Sequence, residues 1–276
     1  MTAQTGFLEL PDAKLYYEVE GEGHPLTLIH AGVADHRMWD EQVSEFSKYY
    51  RVIRYDERGA GQTRSETKEG YSDVTDLYAL LKYLGVEKTH LIGLSRGGGI
   101  AIDFTLTHPE MVSVLIPVAA GISGAPFDAS KFTEAERDYA NEIEKVDASG
   151  DMVRLNDLEV HLWMDGLRRV GPPVDAAARE KLSQMNYASL THPDGLLRPG
   201  KLERPAIDRL GEIKVPTFVI WGDGDVSTVL AQSQQMVNEI PGAKSLVFPD
   251  VAHMVNMERP IEFNRAVLDF LKQIGG

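Results

Sequence analysis

Cysteine is missing from this 276-residue chain. Its absence excludes a disulfide framework, a thiolate zinc site and a cysteine nucleophile, so any chemistry must use oxygen and nitrogen. Long apolar runs are missing too: the longest, Met111 to Ile122, is interrupted by Ser113 and Pro117 and is too short to span a bilayer. Met1 to Leu10 contains no basic stretch followed by an apolar run, so it does not read as a signal peptide, and a cytoplasmic location is expected. Positive charge is scarce, with 28 Lys and Arg against 42 Asp and Glu and a net charge of −14. That sign repels phosphate backbones and anionic lipid surfaces, so neither nucleic acid nor a membrane is expected as a partner. Internal repeats, low-complexity tracts and an H-E-x-x-H pattern are also lacking, and the absence of that pattern together with the absence of cysteine argues against a metal hydrolase.

What is present is an alternation of strand-like and helix-like segments. Phe7 to Leu10 and Leu15 to Val19 flank a Pro-Asp-Ala turn and read as a β-hairpin. Leu26 to Ile29, Arg51 to Tyr55, His90 to Gly93 and Met111 to Ala119 are strand-like, and between them Met38 to Phe46, Asp73 to Leu84 and Gly97 to Thr107 carry helical spacing. Strands alternating with helices imply a mostly parallel sheet covered on both faces. From about Phe132 to Leu210 only helical periods occur, with no strand signal. The alternation then resumes with Thr217 to Trp221, Leu230 to Glu239, Lys244 to Phe248 and Ile261 to Ile274. Residues 1–123 and 211–276 are therefore expected to form one α/β core, interrupted by a helical cap over 124–210.

Gly93-Leu94-Ser95-Arg96-Gly97 has the form G-x-S-x-G. Chance supplies roughly 0.1 such matches in a chain of this size, so placement matters more than pattern. Ser95 falls between the end of an apolar strand and the start of a helix, where flanking glycines relieve a crowded turn and the hydroxyl stands clear at the carboxyl end of the sheet. The alternative role is a helix-capping serine. Ser123, in Gly121-Ile122-Ser123-Gly124-Ala125, also follows a strand but lacks the last glycine.

A serine hydroxyl needs a base within reach, oriented by a third group. The order Ser, acid, His requires a carboxylate after a later strand, and Gly222-Asp223-Gly224-Asp225 supplies it directly after Thr217 to Trp221. Only His253 lies beyond, in the loop after the last strand. Asp225 is the preferred acid, with Asp223 a turn carboxylate bonding nearby backbone N–H groups. Asp250 is expected to shape the His253 loop.

These segments resemble the α/β-hydrolase superfamily over nearly the whole chain. The likeness runs through Leu28-Ile29-His30-Ala31-Gly32, Tyr55-Asp56-Glu57-Arg58-Gly59-Ala60-Gly61, the Ser95 elbow, Gly222 to Asp225, and Ala252-His253 with Glu258-Arg259-Pro260. It implies an α/β-hydrolase fold with a mostly parallel eight-stranded sheet, helices on both faces and an inserted helical cap. It also implies an oxyanion hole built from the backbone N–H groups of Gly32 and Arg96, with Val33 the alternative to Gly32 because Ala31 stands where the family usually has glycine. His30, Asp56, Arg58, Gly59 and Gly61 read as loop braces. Neither a cofactor nor a metal is implied.

The expected reaction is acyl transfer: His253 accepts the Ser95 proton, Ser95 attacks a carbonyl carbon, and Asp225 holds the imidazole. Met38-Trp39-Asp40 and Arg54-Tyr55-Asp56 look most like the esterase and enol-lactonase branch, so a carboxylesterase acting on a small ester is expected. The alternatives are a lactonase (of an enol-lactone or an acyl-homoserine lactone), a carbon–carbon bond hydrolase, a cofactor-free haloperoxidase-like enzyme, and a non-catalytic small-ligand receptor. Within the helical stretch, Leu155, Leu158, Leu162, Trp163, Met164 and Leu167 form an apolar stripe that lines an acyl pocket or packs the cap on the core. Leu162 and Trp163 from this stripe, with Val33 from the loop after Ile29, are the expected substrate-contact residues. Arg168, Arg169 and Arg198 are the cations that a substrate carboxylate would meet, or else a solvated face.

Overall fold

The computed structural model describes residues 4–126, 129–195, 197–200 and 202–275. Met1 to Ala3, where the leader reading begins, and Leu196 and Lys201 in the helical stretch lie outside that set. In chain order the first half contains β1 (Gln4–Glu9), β2 (Ala13–Glu20), β3 (Pro25–Ile29), α1 (Asp40–Phe46), β4 (Arg51–Tyr55), β5 (Arg64–Ser65), β6 (Glu69–Tyr71), α2 (Asp73–Tyr83), β7 (Thr89–Leu94), α3 (Arg96–Thr107) and β8 (Val112–Val118). The second half contains α4 (Glu134–Ser149), α5 (Met152–Val160), α6 (Ala176–Leu190), β9 (Arg198–Pro199), β10 (Phe218–Gly222), α7 (Ser227–Glu239), β11 (Lys244–Phe248), α8 (Val255–Glu258) and α9 (Pro260–Gln273).

The main sheet runs β1-β2-β4-β3-β7-β8-β10-β11, and β5 pairs with β2 to make it nine-stranded. β1, β2 and β4 pair antiparallel; from β4 to β11 every neighbour is parallel. The eight strands expected are the continuous path, and the ninth is a two-residue strand that periodicity cannot register. A second correction concerns the helical stretch, which was expected to hold no strand. Arg198–Pro199 pairs with β6, because the chain leaving α6 returns along the loop before α2.

Two apolar clusters, one on each face, cover the sheet. Leu77, Leu80 and Leu81 of α2, Ile102 of α3 and Met236 of α7 pack on one side. Val43 and Phe46 of α1 and Phe263, Val267, Phe270 and Leu271 of α9 pack on the other. The α9 spacing of i, i+4, i+7, i+8 places those side chains on one stripe, each removing roughly 2 kcal/mol of apolar exposure from water.

β3, β7, β10 and β11 all end at the same sheet edge, since they are parallel, so the loops after Ile29, Leu94, Gly222 and Phe248 converge there. The loop after β3 is braced by a buried charge cluster. Asp56 accepts from the His36 backbone N–H at 2.9 Å and from His36 Nδ1 at 2.7 Å through one oxygen, and from Gln62 N–H at 2.8 Å through the other. A Cβ at Gly61, where φ is +50°, would lie 2.1 Å from that carboxylate, which explains the second glycine of Arg58-Gly59-Ala60-Gly61. Arg58 forks onto Asp76 and Asp12 at 2.7 to 3.0 Å, and His30 Nε2 accepts from Glu57 N–H at 2.9 Å.

Burial alone would pull the His36 imidazole down, but hydrogen bonds to Asp56 and Glu18 outweigh it and hold it up at about 9. The folded-state value lies above the ordinary 6.5, so the stabilisation is complete below that pH and is lost as pH rises through about 9. Denaturant unfolding of the native protein should therefore show a loss on the order of 3 kcal/mol between those limits. His36→Gln should be less stable at neutral pH and should lack that dependence.

Candidate active site

Ser95 occupies the turn between β7 and α3 with φ 57° and ψ −116°, in the region that side chains other than hydrogen rarely adopt. Its backbone is pinned on both sides: Ser95 N–H donates to Val118 O at 2.9 Å, and Ser95 O accepts from Gly99 at 3.0 Å and Gly121 at 3.3 Å. The glycines are required by space. A Cβ at Gly93 would meet Gly97 O at 2.1 Å, and one at Gly97 would meet Ile29 O and His30 O at 2.4 Å. The Ser95 side chain makes no capping bond to α3, which removes the helix-cap alternative. Ser123, by contrast, donates to Asp103 at 2.6 Å and accepts from Ala206 N–H at 2.8 Å.

Asp225 and His253 are buried, at 3% and 2% exposure, and joined Oδ2 to Nδ1 at 2.7 Å. An ionised carboxylate only accepts, so the proton sits on Nδ1 and Nε2 carries the lone pair. The second Asp225 oxygen takes the Val226 N–H at 2.7 Å, which fixes the carboxylate plane. Asp223 accepts from the Asp250 backbone N–H at 2.6 Å, and Asp250, at φ 56°, accepts from Val170 and Gly171 N–H at 3.0 and 2.9 Å. Both are turn carboxylates.

A Cβ built on Gly32 would stand 3.8 Å from Cβ and Cδ of Arg96, so the loop after β3 and the first turn of α3 are adjacent. Among the described residues no protein acceptor meets the backbone N–H of Gly32, Val33 or Arg96. The Arg96 side chain is held by Glu57 at 2.8 Å, Asp73 at 3.0 Å and Tyr71 OH at 3.2 Å. Burial raises the Glu57 carboxyl, opposed by the nearby His30 and Arg96.

Over this edge lies a cavity of about 810 Å³, lined by Gly32, Val33 and Arg96 on one side and by α4, α5 and α6 on the other. Leu162 and Trp163 line it as well, on a π-helical turn, His161–Asp165. Ser95, Asp225 and His253 are not among its lining residues, but Arg96 and Val226, their chain neighbours, are. Trp163 caps His253, with ring centroids 4.6 Å apart and its carbonyl accepting the His253 N–H at 3.2 Å. The apolar stripe divides its labour: Leu155, Leu162 and Trp163 face the cavity, whereas Leu158 and Met164 are buried without lining it.

Arg168 and Arg169 are both paired with carboxylates of the protein itself. Arg169 binds Glu258 at 2.6 Å and Asp250 O at 3.1 Å, so it ties the helical stretch to the His253 loop. Arg168 joins Glu136 at 3.2 Å and also meets Ser227 Oγ. Arg168 and Arg198 are exposed, and Arg169 is half-buried. Glu136 accepts from Ser227 N–H and Oγ, both at 2.7 Å, beside the Asp225 loop. Burial pushes its carboxyl up, but the donors of Thr133 and Ser227 hold it down at about 2. Sequence reasoning missed Glu136, although Thr133-x-x-Glu136 is a capping-box pattern that marks the start of α4.

The layered parallel sheet, the strained serine turn and the buried Asp–His pair at its carboxyl edge define a class, the serine-elbow α/β proteins. A family model described as the alpha/beta hydrolase fold matches residues 24–260, and the chain belongs to that family. It is 28% identical to the 2-hydroxy-6-oxononadienedioate/2-hydroxy-6-oxononatrienedioate hydrolase of Comamonas testosteroni, over 95% of this chain and 92% of that one. It is 27% identical to a putative carbamate hydrolase of Agrobacterium fabrum, over 93% and 98% of the two chains. A hydrolase of Pseudomonas aeruginosa superposes with a TM-score of 0.76 at 27% identity, covering 97% of this chain and 98% of that one. The protein is an α/β hydrolase, and no helix among the described residues is long and apolar enough to cross a membrane.

Because Gly97 packs directly on the β3 carbonyls, Gly97→Ala should destabilise the protein by about 1–3 kcal/mol through overpacking. The measurement is the denaturant midpoint, and an unchanged midpoint would show that the elbow has slack.

Proposed function

We propose that the protein is a serine hydrolase that cleaves carboxylic esters, with Ser95 as nucleophile, His253 as base and Asp225 as the orienting acid. The observation that carries this reading is the buried Asp225–His253 bond of 2.7 Å, at the same sheet edge as a serine held at φ 57° with its side chain uncommitted to the helix. His253 Nε2 takes the Ser95 proton, the hydroxyl oxygen attacks the ester carbonyl, and the tetrahedral oxyanion forms against the free N–H groups of Arg96 and of Gly32 or Val33. The imidazolium then protonates the leaving alcohol, and water releases the acid by the same steps in reverse order. Residues 124–210 act as a cap domain in this reading, with α4 to α6 closing the cavity over residues 1–123 and 211–276.

Carbon–carbon bond cleavage is the second reading, favoured by the likeness to the dienedioate hydrolase. Against it stands the charge of the cavity: Arg58 is fully engaged by Asp76 and Asp12, and Arg96, paired with Glu57 and Asp73, is the one lining arginine among the described residues left partly exposed to meet a substrate dianion.

Ser95→Ala should remove turnover of a short p-nitrophenyl ester while circular dichroism stays unchanged; retained turnover sinks the assignment. Asp225→Asn should lower kcat about 10⁴-fold by leaving the imidazole in the wrong tautomer. Asp223→Asn, which keeps an acceptor for the Asp250 N–H, should leave kcat within about tenfold. Equal losses from the two aspartates would reassign the acid.

A further inference from the structure

The α5 and α6 wall of the cavity is chemically unlike the wall formed by Gly32, Val33 and Arg96. Glu159 of α5 and Asn186 and Ser189 of α6 all line it. Asn186 is 2% exposed and donates Nδ2 to Glu159 Oε2 at 2.8 Å, which turns its Oδ1 away from that bond. An ionised carboxylate accepts only, so this amide orientation is the one that the pair permits. Among the described residues, Asn186 Oδ1 has no hydrogen-bond partner, and Ser189 Oγ is a buried oxygen that also has none. Asn186 and Ser189 are three residues apart on one helix and so share a face. A carboxylate, an amide carbonyl and a hydroxyl thus line the same cavity, the first two joined by a hydrogen bond and the last two on one helix face.

No cation answers them. Burial and the nearby Asp147 push the Glu159 carboxyl up, and only the Asn186 amide opposes this. Asp147 and Glu144 line the same region from α4. The only lining cations among the described residues, Arg58 and Arg96, are already engaged by Asp76 and Asp12 and by Glu57 and Asp73. Buried acceptors left without donors carry a desolvation cost that a ligand with matching donors relieves.

The geometry points to a subsite for a primary ammonium group, so that the substrates of this hydrolase are esters or lactones whose distal end carries an –NH₃⁺ group. Three N–H donors meet the three oxygens of Glu159, Asn186 and Ser189, and the charge meets Glu159 with Asp147 behind it. A terminal carboxylate is excluded by like charge, and a quaternary ammonium brings charge without donors. The inference rests on the proposed function in placing the reacting bond at the Ser95 end, whereas its test needs no turnover.

The test is calorimetric binding to the wild-type and Ser95→Ala proteins of straight-chain anilides ending in a primary ammonium, a quaternary ammonium, a hydroxyl or a carboxylate. The primary ammonium should bind at least about tenfold more tightly than the carboxylate, and more tightly than the quaternary ammonium. Glu159→Gln should shrink the advantage over the carboxylate to about threefold or less, and added salt should shrink it in the native protein. Equal or tighter binding of the carboxylate, equal binding of the two ammonium ligands, or binding of none of the four overturns the inference. Loss of ester turnover on Ser95→Ala is read separately and decides the catalytic assignment.

Discussion

Everything at the carboxyl edge depends on the backbone of Ser95 staying in a conformation it would leave if released. A residue with a side chain held at φ 57° costs on the order of 1–3 kcal/mol, and the turn persists because its N–H is bonded to the end of β8 and its carbonyl to Gly99 of α3 and Gly121 after β8. On the other side of the turn α3 lies hard against β3, which requires that Gly97 carry no Cβ. The same contact brings the loop after β3 beside Arg96. One steric condition therefore sets both the close approach of α3 to β3 and the adjacency of two free backbone donors.

The helical stretch is coupled to this edge by charge as well as by apolar packing. Glu136 reaches the start of α7 beside Asp225, and Arg169 reaches Glu258 and the Asp250 carbonyl in the His253 loop. Trp163 completes the coupling by lying on the imidazole. A shift of the helices over the cavity would be felt directly by the acid and the histidine, and a π-helical turn at Trp163 is the kind of local irregularity found where a side chain must be re-aimed.

The excess of acidic residues, evident in composition as a net charge of −14, has a local counterpart. The cavity wall carries Glu136, Glu144, Asp147 and Glu159, while its arginines are spent on buried carboxylates. Charge that in composition spoke only of solubility and of poor phosphate affinity is thus, once folded, partly gathered on the wall of one cavity.

The alternation of short apolar runs and helical periods was enough to determine the parallel sheet and its two covering layers, because burial on both faces demands that pattern whatever the details. The turn at Ser95 was legible for a similar reason: glycines flanking a strand-to-helix junction mark a place where two backbones approach too closely for a Cβ. Asp225 and His253 followed from chain order, and the fold brings those two into contact. Folding alone decided the pairings that cross the chain. The two-residue strands at Arg64 and Arg198 are too short to carry a period, and Arg169 and Glu258 are 89 residues apart with no local signal to join them. Asn186 and Glu159 lie on different helices and show their partnership only when α5 and α6 are packed together. Periodicity reports which face of an element is buried; which buried groups then meet is fixed by the packing of elements distant in sequence.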